Sequence, residues 1–418
     1  MADDWESERP EPVAVGRPRR TMSRTERARA NRNRRRRRNL TVLSVAALIV
    51  VLIGAVFLGS RLWHGMFGGN ASDYAGDGVA DVVVQVHNGD STTAIGKTLQ
   101  DAGVVATPQA FVDAAAGNAG ISAIQPGFYK VRTEIPGSNA VARLVDPTNR
   151  VGLLTIPEGL QLDDVADVKT NVVSKGIFSL IADATCVDLD GQRKCGTTVD
   201  ALKQAAGATD PAALSIPTWA TEPIKALGDD HRRIEGLIAP GTWNVDPSAP
   251  AQDLLGTLIG ASTAQYEQSG LLDAGNSENL SPYQVLVVAS LVQRESKPQD
   301  FPKVARVIYN RLIAPDHRRL EFDSTVNYSL DRIEIATTDA DRARNTPWNT
   351  YVRDGLPATP ICSPGAPALA AAEQPQPGDW LYFVTIDMQG TTNFTRDYQQ
   401  HLANIELARR NGVLDSAR

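Results

Sequence analysis

The run Ser281-Pro282-Tyr283-Gln284-Val285-Leu286-Val287-Val288-Ala289-Ser290-Leu291-Val292-Gln293-Arg294-Glu295-Ser296 decides how this chain folds. Ser281 suits an N-cap, Pro282 the first helical position, and Gln284 lies three residues after the cap, which together make a capping-box start. Pro298 stops the helix, since proline has no N–H to continue the ladder. Between these ends the segment is apolar almost all round, as a helix buried in a core should be. One carboxyl interrupts it. At about 100° per residue, Glu295 projects between Val288 and Leu291, on the apolar side, and Arg294 points about 100° away. A carboxyl group at the edge of an apolar helix is poorly solvated as an anion. Its pKa should rise, as a general acid working near neutral pH requires. Without further context, a helical glutamate is more often a salt-bridge member or a solvated cap.

The elements outward from this helix predict an α+β fold. Downstream, Asp300-Phe301-Pro302 opens a second helix with Val304, Val307, Ile308 and Leu312 on one face. Trp380 to Ile386 suits a strand, Gly390 a turn, Thr392 to Thr395 its hairpin partner, and Asp397 to Arg409 a closing helix. Upstream, a strand at Asp81–His87, helices at Thr92–Ala102, Pro108–Ala116 and Asn139–Val145, and a strand led by Gln125-Pro126-Gly127 form a small α+β module over residues 81–150. Val151 to Ile156 reads as one strand. Helices are expected at Leu162–Val173, Thr198–Ala206 and Pro250–Ala264, and a polar connector at Ala274–Asn279. The larger mixed α+β region spans 151–412, with its core at 281–412.

Charge is divided unevenly along the 418 residues, a length with room for two or three domains. Residues 1–39 hold 13 Arg against 6 Asp+Glu, a net +7, which leaves −13 for the remainder of a chain at −6. This basic tail is poor in large apolar side chains and cannot bury a core, so disorder is expected. Residues 40–60 carry no charge and are long enough to cross a bilayer as a helix. The Arg34–Arg38 run before them leaves the tail in the cytoplasm and the rest outside, with Trp63 at the far interface. A cleaved signal peptide is the rival reading, but the apolar run is long for one and no small-residue cleavage site follows. Nucleic-acid binding by the arginines is the other rival; beside a membrane span they are more simply an orientation signal, so nucleic acid is not an expected partner. Residues 61–80 read as a Gly-rich linker. Cys186 and Cys195 flank a loop-like stretch, where a disulfide is plausible outside the membrane, and no histidine lies near to make a zinc site. Cys362 reads as a small buried side chain; a catalytic thiol would need a histidine such as His401 brought close by the fold.

Ala289-Ser290-Leu291-Val292-Gln293-Arg294-Glu295-Ser296, Val304-Ala305-Arg306-Val307-Ile308-Tyr309-Asn310-Arg311-Leu312 and Leu320-Glu321-Phe322-Asp323-Ser324-Thr325-Val326-Asn327-Tyr328 follow in that order. After them come Thr346-Pro347-Trp348-Asn349-Thr350-Tyr351, Gly355-Leu356-Pro357, Leu381-Tyr382-Phe383-Val384 and Asn393-Phe394-Thr395. Upstream stand Gly127-Phe128-Tyr129, Pro157-Glu158-Gly159 and Glu235-Gly236-Leu237-Ile238-Ala239-Pro240-Gly241-Thr242-Trp243. Together they resemble the endolytic murein transglycosylase (YceG-like) family over about residues 80–410, and several spaced motifs in one order are more specific than any one alone.

The resemblance implies a single-pass enzyme of the cell membrane, with a LysM-like subdomain at 81–150, that cuts nascent peptidoglycan strands internally between MurNAc and GlcNAc. The product would end in 1,6-anhydro-MurNAc. Peptidoglycan synthases are candidate partners, and neither metal nor cofactor is implied. Family members usually carry two acids on the helix; here the first position is Gln293, which singles out Glu295 as the catalytic residue. Asp323-Ser324 stands where the family often has Asp-Pro, and Cys362-Ser363 is another local variation; neither is expected to touch the acid.

Lower-ranked substrate-binding candidates are Asp323, Asn310, Asn349, Tyr351 and Thr395, with Glu321 and Arg311 nearby and Trp348 or Tyr351 stacking on a sugar face. For each the rival role is structural: a cap, a salt bridge or core packing. Two other functions stay open at this point. One is a hydrolytic muramidase with Asp323 or Asp300 activating water. The other is a non-catalytic wall-binding scaffold.

Overall fold

The computed structural model describes residues 73–208, 210–274, 279–316, 318–333 and 337–413. The basic tail at 1–39, the apolar stretch at 40–60 and most of the 61–80 linker lie outside the described residues, as does most of the 274–279 connector. Among the described residues no helix is long and apolar enough to cross a membrane. They form a mixed α+β structure in which helices dominate and the sheets are small.

The N-terminal module is built on a three-stranded antiparallel sheet of Asp81–Val86, Gly127–Arg132 and Arg150–Val151, the second strand central. Helices Thr92–Asp101, Pro108–Ala116 and Gly137–Val145 pack with it. Ser91 and Thr107 cap the first two, each accepting a backbone N–H three residues on. The module has its own apolar cluster, including Val84, Val86, Leu99, Phe111, Val131, Ile135 and Leu144.

The expected strand at Val151–Ile156 is in fact two. Arg150–Val151 pairs inside the module, whereas Leu153–Ile156 pairs antiparallel with Gly241–Asn244 in the larger region. Gly152 breaks the run with φ +67°, and a Cβ there would stand 2.1 Å from the Val245 carbonyl oxygen. The chain therefore changes sheets at a single glycine, because only glycine adopts that φ without cost and lets two backbones come so close. Other ties between the parts are polar: Arg150 Nη2 donates to Asn244 Oδ1 at 2.8 Å, and the backbone N–H groups of Asp81 and Asp190 each donate to the other's carboxylate at 3.0 Å.

Asp190 sits at the turn of a hairpin, Cys186–Leu189 with Gln192–Cys195, that occupies the expected cysteine loop. Cys186 and Cys195 face each other in register, and their sulfurs are bonded.

The helix expected over 162–173 is not formed. Val165–Asp167 and Val173–Ser174 are short strands, the first also pairing with Arg332–Ile333. The Asp167 carboxylate accepts the N–H groups of Lys169 and Thr170, and Asn171 adopts φ +56°. Side-chain bonding to the local backbone thus displaces the helical ladder. The helix lies further on, at Ile177–Ala184.

The Pro282–Glu295 helix is the centre of the larger core. Its capping box forms in full, with Ser281 Oγ accepting from Gln284 N and Gln284 Oε1 accepting from Ser281 N at 2.9 Å. Every residue from Val285 to Val292 is buried. Burying a Val or Leu contributes about 1.5–3 kcal/mol, so most of the drive to place this helix is apolar. It packs against Phe301–Ile313 and Ala366–Glu373. Ser290 Oγ accepts from Ile361 N at 3.1 Å, and Gln293 Oε1 accepts from Gly365 N at 2.9 Å, so the 361–365 loop is laced along it. Cys362 belongs to this buried loop, and burial pushes its thiol up, which removes it as a nucleophile.

Substituting Gly152→Ala should destabilise the protein by about 2 kcal/mol or more, since the left-handed backbone and the carbonyl contact act together. Thermal melting of purified protein measures this, and an unchanged midpoint would refute the crossover role.

Candidate active site

Glu295 closes the central helix and looks into a cleft of about 550 Å³. Arg342 and Tyr351 also line the cleft, as do Arg311, Glu321 and Phe322. The remaining lining comes largely from the C-terminal hairpin, Tyr382–Thr385 with Thr392–Thr395, and from the last helix, Tyr398–Arg410. The side chain of Glu295 is partly accessible through the cleft mouth, yet protein crowds it enough for burial to push its pKa up to about 7. The nearby Asp323 charge adds to that rise, whereas bonds from Ser324 and the Arg294 charge oppose it.

Ser324 is the residue that sequence reasoning misplaced. Its hydroxyl donates to Glu295 Oε1, and its backbone N–H also acts on the carboxyl. The variation expected to stand clear of the acid therefore touches it, because the Asp323–Ser329 helix starts directly beside the end of the Pro282–Glu295 helix. A proline at this position could supply neither donor. The order of motifs along the chain carries no signal for this contact.

Asp323 sits beside the acid and is held tightly. Its Oδ1 accepts from Thr337 Oγ1 at 2.6 Å, Tyr351 OH at 2.8 Å and Arg342 Nε at 3.1 Å, and its Oδ2 accepts from Arg342 Nη2 at 3.0 Å. Arg342 also lies over the Tyr351 ring, 5.0 Å from its centroid. Both oxygens of this carboxylate are engaged by donors, which fixes its position.

A buried threonine pair sets this arrangement. Thr325 and Thr350 bond hydroxyl to hydroxyl at 2.9 Å, and Thr350 Oγ1 accepts from Phe322 N at 3.1 Å. The helix start that carries Asp323 and Ser324 is thereby fixed against the segment that carries Tyr351.

The other candidates fall in different places. Asn349 is fully buried: its Nδ2 donates to the carbonyls of Arg342 and Arg344, and its Oδ1 accepts from Tyr351 N. It cannot reach an N-acetyl group, and instead shapes the turn that presents Arg342 and Tyr351. Asn310 gives its amide protons to the Gly378 and Trp380 carbonyls and is not among the cleft-lining residues. Thr395 Oγ1 accepts from Asp397 N at 3.1 Å, at the cap of the last helix, and is likewise absent from the lining. Trp348 is 3% exposed and donates to Thr359 Oγ1, so it is a core residue and not a sugar platform. Glu321 and Arg311 do line the cleft, paired at 3.2 Å.

A second acid lies deeper. Glu235 is fully buried, with Oε2 accepting from Leu162 N at 3.1 Å and Tyr328 OH at 3.0 Å, and burial pushes it up to about 8. Among the described residues no group of His, Cys, Asp and Glu could hold a metal ion.

Helix, cleft and clamped acid define a protein with a carboxyl of raised pKa, Glu295, poised in a groove. The chain belongs to the YceG-like family, which matches residues 84–407. Two similar proteins are named endolytic murein transglycosylase: one from Bacillus subtilis (strain 168), 26% identical over 78% of this chain and 84% of its own length, and one from Streptococcus pneumoniae (strain D39), 25% identical over 78% of this chain. The match spans only 58% of the pneumococcal protein. A crystal structure of a YceG-like protein from Listeria monocytogenes aligns with 77% of this chain and 98% of its own, at 22% identity and a TM-score of 0.46.

Removing the Ser324 hydroxyl with Ser324→Ala should raise the Glu295 titration midpoint above about 7, and Asp323→Asn should lower it. Carbon NMR of labelled glutamate reads both shifts; equal or reversed signs would contradict the geometry.

Both acids also link stability to pH. Each holds its proton more tightly folded than unfolded, where a glutamate titrates near about 4.3. As pH rises from there, the unfolded state loses protons first, so stability falls until the folded carboxyls ionise near 7 and 8. Glu235→Gln should make the fall in urea midpoint shallower between about pH 5 and 8.

Proposed function

We propose that this chain is a membrane-anchored endolytic lytic transglycosylase of peptidoglycan, acting on nascent glycan strands to leave 1,6-anhydro-MurNAc ends. The observation that carries the reading is Glu295: a cleft-lining carboxyl whose pKa burial pushes up to about 7. The neighbouring acids are occupied, Asp323 by Arg342 and Glu321 by Arg311. A hydrolytic muramidase needs a second carboxylate free to activate water or attack carbon, whereas both oxygens of Asp323 already accept from Thr337, Tyr351 and Arg342. Asp300 is not among the cleft-lining residues.

One carboxyl suffices when the sugar supplies its own nucleophile. Glu295 gives its proton to the oxygen linking MurNAc C1 to GlcNAc, and the C1–O bond breaks with its electron pair going to that oxygen. The carboxylate then takes the proton of the MurNAc C6 hydroxyl as O6 bonds to C1. Glu295 ends as it began, and no water is consumed. Ser324 steadies the carboxylate between the two transfers, while the Asp323–Arg342–Tyr351 group fixes the wall beside it.

The uncharged run at 40–60 behind an arginine cluster supports anchoring with the N-terminus in the cytoplasm and the cleft outside. The Cys186–Cys195 bond suits that oxidising side. In this reading the 81–150 module is the LysM-like part and contacts the strand, and release of strands during synthesis brings peptidoglycan synthases near.

Full-length protein incubated with polymerised, uncrosslinked glycan should release internal fragments with anhydro ends, and Glu295→Gln should abolish them while melting normally. The rate should fall as pH rises through about 7, since the acid must start protonated. Products heavier by one water, with reducing ends, would establish hydrolysis instead. A Glu295→Gln variant that fully restores a deletion strain would establish the scaffold role.

A further inference from the structure

The last helix is oriented against the usual rule. Its buried residues are Asn404 and Ala408, and Asn404 Oδ1 accepts from Asn393 Nδ2 of the hairpin at 3.1 Å. Tyr398, Leu402 and Ile405, spaced i, i+4 and i+7, make an apolar stripe that a core would normally claim. Here all three line the cleft that holds Glu295, with Tyr398 53% and Leu402 40% exposed.

The helix is held in this pose from beneath. His401 stacks on the Tyr382 ring at 4.8 Å with the planes 20° apart, and Tyr382 also meets Tyr398 at 5.6 Å. On the same Tyr382 ring lies the Arg311 guanidinium, 5.5 Å from the centroid. Burial and the Arg311 charge hold His401 below its ordinary pKa.

We propose that the Tyr398–Leu402–Ile405 stripe, braced by the His401–Tyr382 stack, is the platform on which a sugar ring of the glycan strand rests, adjacent to the ring cleaved at Glu295. This rests on the function proposed above. A pyranose offers an apolar C–H face that suits an aromatic ring, and the acetyl methyl of an N-acetyl sugar suits the aliphatic pair. Tyrosine adds a hydroxyl at the rim, so one residue serves both faces of an amphipathic ligand. Arg311 and Glu321 supply polar groups at the same wall.

The experiment measures affinity apart from turnover. In full-length Glu295→Gln protein, binding of a peptide-free glycan oligosaccharide is compared with and without Tyr398→Ala, Tyr398→Phe and Leu402→Ser. Tyr398→Ala should weaken binding about two- to tenfold, the scale of one aromatic stacking contact. Tyr398→Phe should keep most of the affinity, and Leu402→Ser should weaken it. In the active enzyme Tyr398→Ala should raise KM with kcat little altered. Unchanged affinity in Tyr398→Ala and Leu402→Ser, with normal melting, would overturn the platform. So would a loss seen only with strands that carry stem peptides, since the stripe would then hold peptide. If Glu295→Gln still cleaves, the catalytic reading fails by itself, and the affinity comparison, made on a slow timescale of turnover or in a non-cleavable oligosaccharide, still decides the platform.

Discussion

A helix buried on every side leaves its last side chain little choice of environment. Val285 to Val292 bind the Pro282–Glu295 helix into the core, and Pro298 keeps the chain from continuing. Glu295 is thus delivered to the boundary between packed interior and open cleft. The same burial that stabilises the helix raises the proton affinity of its terminal carboxyl. Fold stability and chemistry here share one cause, and the remaining parts of the site adjust a property that the helix creates.

Those adjustments come from polar side chains with few degrees of freedom. Ser324 lowers the acid's proton affinity, Asp323 raises it, and Arg342 holds Asp323 in place. Behind them, the Thr325–Thr350 pair and Asn349 hold the segments in register without reaching the cleft. Buried polar networks of this kind are costly when incomplete and specific when complete, which fits their position next to an acid of raised pKa.

Much of this fold is legible in local pattern. The capping box at Ser281 and Gln284, the Thr392–Thr395 hairpin partner, and the Pro108–Ala116 helix follow from side-chain chemistry acting within a few residues. The 162–173 stretch misleads because its Asp167 turn and distant pairing with Arg332–Ile333 outweigh helical spacing. Glu295 is legible as an acid on an apolar helix. Its surroundings are not, since Ser324 bonds to it, and Arg342 and the C-terminal aromatics join it in lining the cleft, only through tertiary packing. Asn349 shows the converse: a residue type suited to sugar contact, placed where no sugar can go.

The Asp323–Ser329 helix touches a carboxyl at each end, Glu295 through Ser324 and Glu235 through Tyr328. At about 1.5 Å per residue it is a strut of roughly 10 Å. Alkaline conditions place negative charge at both footings of this strut, one in the groove and one in the interior. One short helix therefore couples the protonation of a groove acid to that of an interior acid, and both lose their protons over the same mildly alkaline range.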